Sequence, residues 1–220
     1  MTPMGSEGEH GALMDSIYRS QRHIYDLTRK YYLFGRDRMI DELALTSGGA
    51  VLELACGTGR NLDRIGKRWP GTCLYGLDIS AEMLKSARAR LGPDVQLAAG
   101  DATAFDPAAL FGQEKFDRVI LSFATSMIPQ WRKAVEMAAS CLAENGSLHI
   151  VDFGDMAGLP GMVRAGLKSW LRKFHVTPRP DLADRAVSVA RRRRLACRTR
   201  RGMGGYYQLV TLHPRKGAAR

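Results

Sequence analysis

Val51 to Ser80 reads VLELACGTGRNLDRIGKRWPGTCLYGLDIS. Its apolar opening, Val51-Leu52-Glu53-Leu54, predicts a short buried strand that stops at Ala55-Cys56-Gly57-Thr58-Gly59. A helical pattern starts at once with Asn61, Leu62 and Ile65, and a second strand, Cys73 to Leu77, ends on Asp78. A strand that turns on glycines into a helix brings bare backbone amides close to a ligand. The acidic residue that ends the next strand can accept both hydroxyls of a ribose. This geometry suits an adenosine-containing cofactor.

The turn itself narrows the choice. A dinucleotide fingerprint reads GxGxxG, but Gly57-Thr58-Gly59-Arg60-Asn61-Leu62 puts Leu62 where the third glycine belongs, and no GxxxxGK[ST] phosphate loop occurs. The string Glu53-x-Ala55-Cys56-Gly57-Thr58-Gly59-Arg60 resembles motif I of the class I S-adenosylmethionine-dependent methyltransferases. The resemblance implies that Ala55, Cys56, Gly57 and Gly59 cradle the methionine part of S-adenosyl-L-methionine. It implies that Glu53 helps hold the amino group and that Asp78 takes the ribose. Gln96 to Ala102 reads as a third strand ending in Gly100-Asp101-Ala102, where the family's aspartate accepts from the adenine amino group. Phe116 to Phe123 matches the fourth strand, whose end lies beside the transferred methyl in that family. Ile79, Met83, Ala102 and Ser122 complete the implied cofactor-binding set.

Strands are expected near 50–54, 72–77, 95–99, 117–123 and 146–152, with helices near 60–68, 80–90 (Ser80 as N-cap) and 130–142 between them. Asn145-Gly146 reads as the turn into the fifth strand. Pro160 opens a further helix over 161–173, and strands near 192–200 and 205–213 flank Gly202 to Gly205 as a hairpin. Upstream, Leu13 to Phe34 forms a long helical stretch and Arg36 to Leu43 a shorter one. The fold class is α/β: a doubly wound, seven-stranded sheet of the class I methyltransferase (Rossmann-like) type. It is expected to be parallel except for an antiparallel last strand, under an N-terminal helical lid. Residues 1–220 read as one domain: a lid over 1–45, a cofactor-binding core over 46–155 and a basic C-terminal part over 156–220.

At 220 residues with 45% hydrophobic content, the chain can bury a sizeable core without staples. Cys56, Cys73, Cys141 and Cys197 lack CxxC or metal spacing and read as reduced thiols, with Cys73 and Cys141 in core elements. No paired-His or H-x-E ligand spacing appears, so no metal is expected. No segment approaches the ~20 apolar residues of a membrane span, and the first residues lack a signal peptide's basic and apolar regions. The charge is lopsided. Residues 160–220 hold 16 Lys and Arg against Asp181 and Asp184, an excess of +14, which leaves −3 for the first 159 residues of a chain of net charge +11. Such an excess suits a polyanion, either nucleic acid or an anionic lipid surface, although a charge run can also be a plain solvated face.

Tyr18, Tyr25 and Tyr32 fall seven apart on one helix face, either as a core stripe or as a lid that aims hydroxyls at a substrate. Arg29, Arg36 and Arg38 sit nearby, within reach of a carboxylate or phosphate. The segment Ile24 to Arg38, IYDLTRKYYLFGRDR, resembles the N-terminal segment of the betaine-lipid N-methyltransferases. Those enzymes trimethylate the amine of diacylglycerylhomoserine to give diacylglyceryl-trimethylhomoserine. The resemblance implies a lipid substrate with an amino head group, an acceptor site around Tyr25, Tyr32 and Asp152, and a cytoplasmic enzyme peripheral to the membrane. His149, within Leu148-His149-Ile150-Val151, reads as a satisfied strand histidine rather than a base. On this reading the basic, amphipathic 161–173 helix lies on an anionic membrane with Trp170 at the interface, or packs on the sheet with its cations solvated. Two alternatives remain. One is a methyltransferase acting on RNA or another small amine, although no NPPY-like motif follows the fourth strand. The other is a non-catalytic cofactor-binding lipid adaptor.

Overall fold

A computed structural model describes residues 33–174 and 176–215. The tyrosine-bearing stretch, with Tyr25 and Tyr32, lies outside the described residues. Leu33 and Phe34, expected to close that helix, are coil and turn. Gly35 follows at φ 86, and a Cβ there would come within 2.5 Å of the Tyr207 ring. Helix α1, Arg36–Asp41, begins after it.

The chain then alternates. Strand β1 (Ala50–Leu54) leads to α2 (Arg60–Arg68), β2 (Cys73–Asp78), α3 (Ala81–Leu91), β3 (Gln96–Ala99) and α4 (Pro107–Phe111). Strand β4 (Phe116–Ser122), α5 (Trp131–Ser140), β5 (Leu142–Phe153) and α6 (Gly161–Lys173) follow. Helix α7 (Leu182–Arg192) and the hairpin of β6 (Leu195–Gly202) and β7 (Tyr207–Pro214) close the described chain. The seven strands form one sheet in the order β3-β2-β1-β4-β5-β7-β6. β7 runs antiparallel to both of its neighbours, and the other pairings are parallel. This is the expected doubly wound sheet.

Each central strand is buried on both faces, so it reads as an apolar run rather than an alternation. Leu52, Leu54, Val119, Leu121, Leu148 and Ile150 face Phe111, Trp131, Ala138, Leu182 and Val189 from α4, α5 and α7. On the opposite side, Val51, Ile120, Val151 and Phe153 meet Met39, Ile40, Leu62, Ile65, Leu84 and Leu171 from α1, α2, α3 and α6. A fully buried Leu or Ile contributes roughly 1.5–3 kcal/mol relative to an exposed one. The edge strand β6 carries Arg198, Arg200 and Arg201, charges that discourage pairing with another strand.

Three local expectations need correction. Asn145-Gly146 lies inside β5, where pairing with β4 jumps from Phe116↔Leu142 to Arg118↔Ser147. It interrupts the ladder within the strand rather than preceding the strand. Residues 182–192, to which the sequence assigned no element, form a helix, and the strand expected near 192–200 begins at Leu195. Leu182, Ala186, Val189 and Ala190 recur at helical spacing and are buried, and Arg185 and Arg192 pair with Glu136 of α5. The basic run Arg191–Arg194 therefore ends a helix. Cys73 is exposed at the start of β2, while Cys56 and Cys141 are buried and Cys197 is half-buried.

His149 is buried in β5 with Nε2 at 2.8 Å from Ser147 Oγ. Burial first, and then the cations Arg118, Arg198 and His213, bring its pKa down to about 3. The folded state thus holds this imidazole neutral, and the unfolded chain takes up a proton once pH falls below about 6.5. Its contribution to stability is present above about 6.5 and is lost as pH falls toward 3. Two pH units into that window, the loss amounts to about 2–3 kcal/mol. Asp152, raised by burial, acts with the opposite sign and offsets part of the loss. Thermal melts should show a smaller fall in Tm between pH 7 and pH 4.5 for His149→Gln than for the wild type. Equal falls would mean that this histidine does not drive acid destabilisation.

Candidate cofactor site

The sheet order reverses between β1 and β4, whose carboxyl ends diverge and leave a crevice. Both strand ends turn through a left-handed residue, Ala55 at φ 55 and Phe123 at φ 54. For non-glycine residues such conformations are uncommon and cluster at functional sites. Each is fixed by a neighbouring strand: Cys56 N donates to Leu77 O at 3.0 Å, and Phe123 N donates to Val151 O at 2.7 Å.

Two clefts open at this crevice and share Ala55. The first, about 340 Å³, is lined by Arg36, Glu53, Cys56, Gly57, Asn61 and Ser122 among others. The second, about 370 Å³, is lined by Asp78, Ile79, Asp101, Ala102, Ile128 and Lys133 among others. The glycine turn lies between them. Gly59 has φ 72, and a Cβ there would come within 2.5 Å of Leu91 Cδ1, so the close packing of α2 on α3 requires glycine. Asp78 ties the turn to β2: its Oδ2 accepts from Gly57 N at 2.7 Å and its Oδ1 from Ser80 N at 2.9 Å. Ser80 caps α3 by accepting from Met83 N. Burial, followed by the charges of Asp78 and Glu53, pushes the Cys56 thiol up, so it stays protonated.

Glu53 is buried, and its Oε1 accepts from Asn61 Nδ2 at 2.6 Å. Asn61 Oδ1 is a buried acceptor with no partner among the described residues, in the wall of the same cleft. A carboxylate beside a waiting acceptor asks for a cationic donor with several protons, which an amino-acid ammonium provides. Asp101 shapes the far wall, with Oδ1 accepting from Thr103 N at 2.8 Å in a local turn.

The expected residues do not all converge. Glu53, Ala55, Cys56, Gly57 and Ser122 line the first cleft, and Asp78, Ile79, Asp101 and Ala102 line the second. Gly59, Met83 and Asp152 line neither. Met83 is buried beside Met127 and Phe174. Asp152 is completely buried, and its carboxylate accepts from Thr125 Oγ1 at 2.5 Å, Ser126 N at 3.0 Å and Phe153 N at 2.8 Å. It fastens the loop after β4. Arg179, unremarked in the sequence, fastens the same loop: Nε donates to Thr125 O at 3.1 Å and Nη2 to Ile128 O at 3.3 Å. Its setting, Pro178-Arg179-Pro180, was the available signal, because flanking prolines hold an arginine in extended backbone. Asn61 and Lys133 were also missed as cleft residues. Among the described residues no cluster of His, Cys, Asp and Glu is arranged to hold a metal ion.

Strand order and paired clefts define an α/β protein that binds an adenosine-containing cofactor across its switch point. A methyltransferase-domain family matches residues 51–146. The chain is 30% identical over 146 residues to the phosphatidylethanolamine N-methyltransferase of Cereibacter sphaeroides, covering 63% of this chain and 68% of that one. It is 28% identical over 165 residues to the ubiquinone/menaquinone biosynthesis C-methyltransferase UbiE of Syntrophotalea carbinolica, covering 70% and 65%. With the trans-aconitate 2-methyltransferase of Azoarcus the match spans only 28% of that protein. The fold is shared with the plantazolicin methyltransferase BpumL, solved in complex with SAH, at a TM-score of 0.69 and 13% identity over 95% of this chain and 97% of that one. The chain belongs to the S-adenosylmethionine-dependent class I methyltransferases, and its cofactor is S-adenosyl-L-methionine.

Asp78→Ala removes the expected acceptor for the ribose and leaves the Gly57 amide without its carboxylate. Hydrogen bonds to a charged group are worth about 1.5–3 kcal/mol each, so cofactor affinity should fall about tenfold or more. Calorimetric titration with S-adenosylmethionine reads this directly. Unchanged affinity in a folded variant would remove Asp78 from the site.

Proposed function

We propose that this chain is an N-methyltransferase that trimethylates the amine of diacylglycerylhomoserine, giving the betaine lipid diacylglyceryl-trimethylhomoserine. The observation that carries the reading is the similarity to a phosphatidylethanolamine N-methyltransferase across 68% of that protein's length. Its name puts the methyl on an amine of a lipid head group, and the Ile24–Arg38 segment points to the homoserine version of that chemistry. We further propose that residues 1–220 act as one domain at the inner face of the membrane, with the basic C-terminal part drawn to anionic lipid.

In this proposal Glu53 and Asn61 take the methionine ammonium, Arg36 takes its carboxylate, and the Ala55–Gly59 turn approaches its backbone. Asp78 holds the ribose, and Ile79 and Asp101-Ala102 hold the adenine. Ser122 lies beside the methyl group, and Met83 supports the adenosine side from behind. When bound, S-adenosylmethionine supplies an electron-poor methyl group that a neutral amine displaces from sulfur. The chain's task is alignment and exclusion of water. Asp152 serves as a positioning residue: it holds Thr125 and Ser126 so that the loop after β4 presents a fixed wall to the acceptor. Tyr25 and Tyr32 orient the amine.

A second reading is C-methylation, favoured by the longer match to the ubiquinone/menaquinone biosynthesis C-methyltransferase. Incubation with methyl-labelled S-adenosylmethionine and separate pools of diacylglycerylhomoserine, phosphatidylethanolamine, demethylated quinone, RNA and small amines separates the possibilities. Label should enter diacylglycerylhomoserine. Label entering only another pool would replace the substrate. Tyr25→Phe and Tyr32→Phe should retain S-adenosylmethionine binding and lose trimethylation disproportionately, because misplacement by about 1 Å can cost ~10²-fold in rate. Wild-type turnover in both variants would remove the tyrosines from the acceptor site.

A further inference from the structure

Five large apolar side chains are exposed among the described residues: Phe34, Leu110, Met162, Val163 and Met203. Met162 is 90% exposed, Val163 54% and Met203 54%. Backbone hydrogen bonds bring these three to one rim. The β6–β7 turn that carries Met203 is stitched to the segment before α6: Gly154 N donates to Tyr206 O at 2.9 Å, Met156 N to Gly205 O at 2.9 Å and Gly158 N to Gly204 O at 2.8 Å. Met162 and Val163 stand in the first turn of α6, just beyond that seam. Phe34 joins the same neighbourhood by packing edge-on against Tyr206, with ring centroids 5.6 Å apart.

The rim belongs to the cofactor end of the molecule. β5 runs parallel to β4, and its last residues, Asp152 and Phe153, pair with Gln208 and Tyr207 at the start of β7. The turn before β7 therefore projects past the carboxyl ends of the parallel strands, where both clefts open.

Helix α6 is attached lightly. Of its thirteen residues only Leu171 is buried; Leu167 and Trp170 are half-buried against the core, and Trp170 packs on Phe174 at 4.9 Å. Trp170 thus lies on the inner face, which fits the packed alternative that the sequence had left open. The helix carries Arg164, Lys168, Arg172 and Lys173 and no acidic residue; Lys168, Arg172 and Lys173 are exposed, and Arg164 is half-buried. Lys168 and Arg172 also line a cavity of about 490 Å³ between α6 and the 176–180 segment.

We infer that Met162, Val163 and Met203, flanked by the α6 cations, form a docking surface for an anionic bilayer. The surface turns the cofactor clefts toward the membrane. Protruding apolar tips at the start of a helix that carries only basic charges match the boundary between acyl chains and anionic head groups. A second copy of the chain is a poor occupant, because a symmetric contact would set two strongly basic parts against each other. The inference rests on the lipid-substrate reading for its purpose, but its test does not.

Sedimentation with vesicles lacking any methyl acceptor tests it. The wild type should pellet with phosphatidylglycerol and stay in solution with phosphatidylcholine. Met162→Glu/Val163→Glu should weaken phosphatidylglycerol binding about tenfold or more, given the apolar burial it forfeits. Met203→Asn, which suits that residue's φ of 50, should cause a smaller loss. Leu110→Glu, an exposed apolar position elsewhere, should pellet like the wild type. All four proteins should bind S-adenosylmethionine equally by calorimetry. A double variant that pellets undiminished would overturn the inference. So would a wild type that ignores phosphatidylglycerol and self-associates through this face. A failure to methylate diacylglycerylhomoserine would leave the vesicle result standing, so the two ideas fall separately.

Discussion

The hydrogen bond from Gly57 N to Asp78 Oδ2, 2.7 Å long, is the contact on which the site depends. It joins the glycine turn after β1 to the end of β2. The same carboxylate accepts from Ser80 N, and Ser80 caps α3. One buried aspartate thereby sets the turn, the strand end and the start of a helix. The cost of turning Ala55 through a left-handed conformation is of order 1–3 kcal/mol. The backbone bond from Cys56 to Leu77 and this carboxylate hold the turn against that strain. Without them, the wall shared by the two clefts would have no fixed position.

Across the crevice, the loop after β4 is held by a different logic. Phe123 is pinned to Val151, Thr125 and Ser126 to Asp152, and Thr125 and Ile128 to Arg179. Gln208 of β7 donates to both Phe153 O and Arg179 O at 2.9 Å, so the antiparallel hairpin braces the loop after β4. Burial raises the pKa of Asp152, while its hydrogen bonds work to keep it ionised. A carboxylate so occupied orders a loop. The hairpin that braces this loop also carries Met203 to the outer rim, so the rim and the loop after β4 share one element.

Much of this was legible in the chain. Continuous apolar runs between glycine turns mark parallel strands buried on both faces, which is why β1 and α2 fall at their expected bounds. Where the reading slipped, a local signal competed with a tertiary one. Asn145-Gly146 has turn chemistry, but the pairing of β5 with β4 absorbs it as an interruption of the ladder. The arginines at 191–194 mask the helical spacing of Leu182, Ala186 and Val189 that precedes them. The cleft residues near the glycine turn could be read because motif spacing places them on strand ends. Lys133 could not, because only the folded sheet brings that helix start to the crevice, and the prolines around Arg179 mark extended backbone without saying which loop the arginine holds.

Whether the two clefts meeting at Ala55 form one cofactor site is open to direct measurement. A crystal structure of the chain with S-adenosylhomocysteine tests it most directly. The amino-acid end should lie beside Glu53 and Asn61, the ribose on Asp78 and the adenine against Ile79 and Asp101-Ala102. Density for the ligand in only one cleft, or with its ribose away from Asp78, would contradict it.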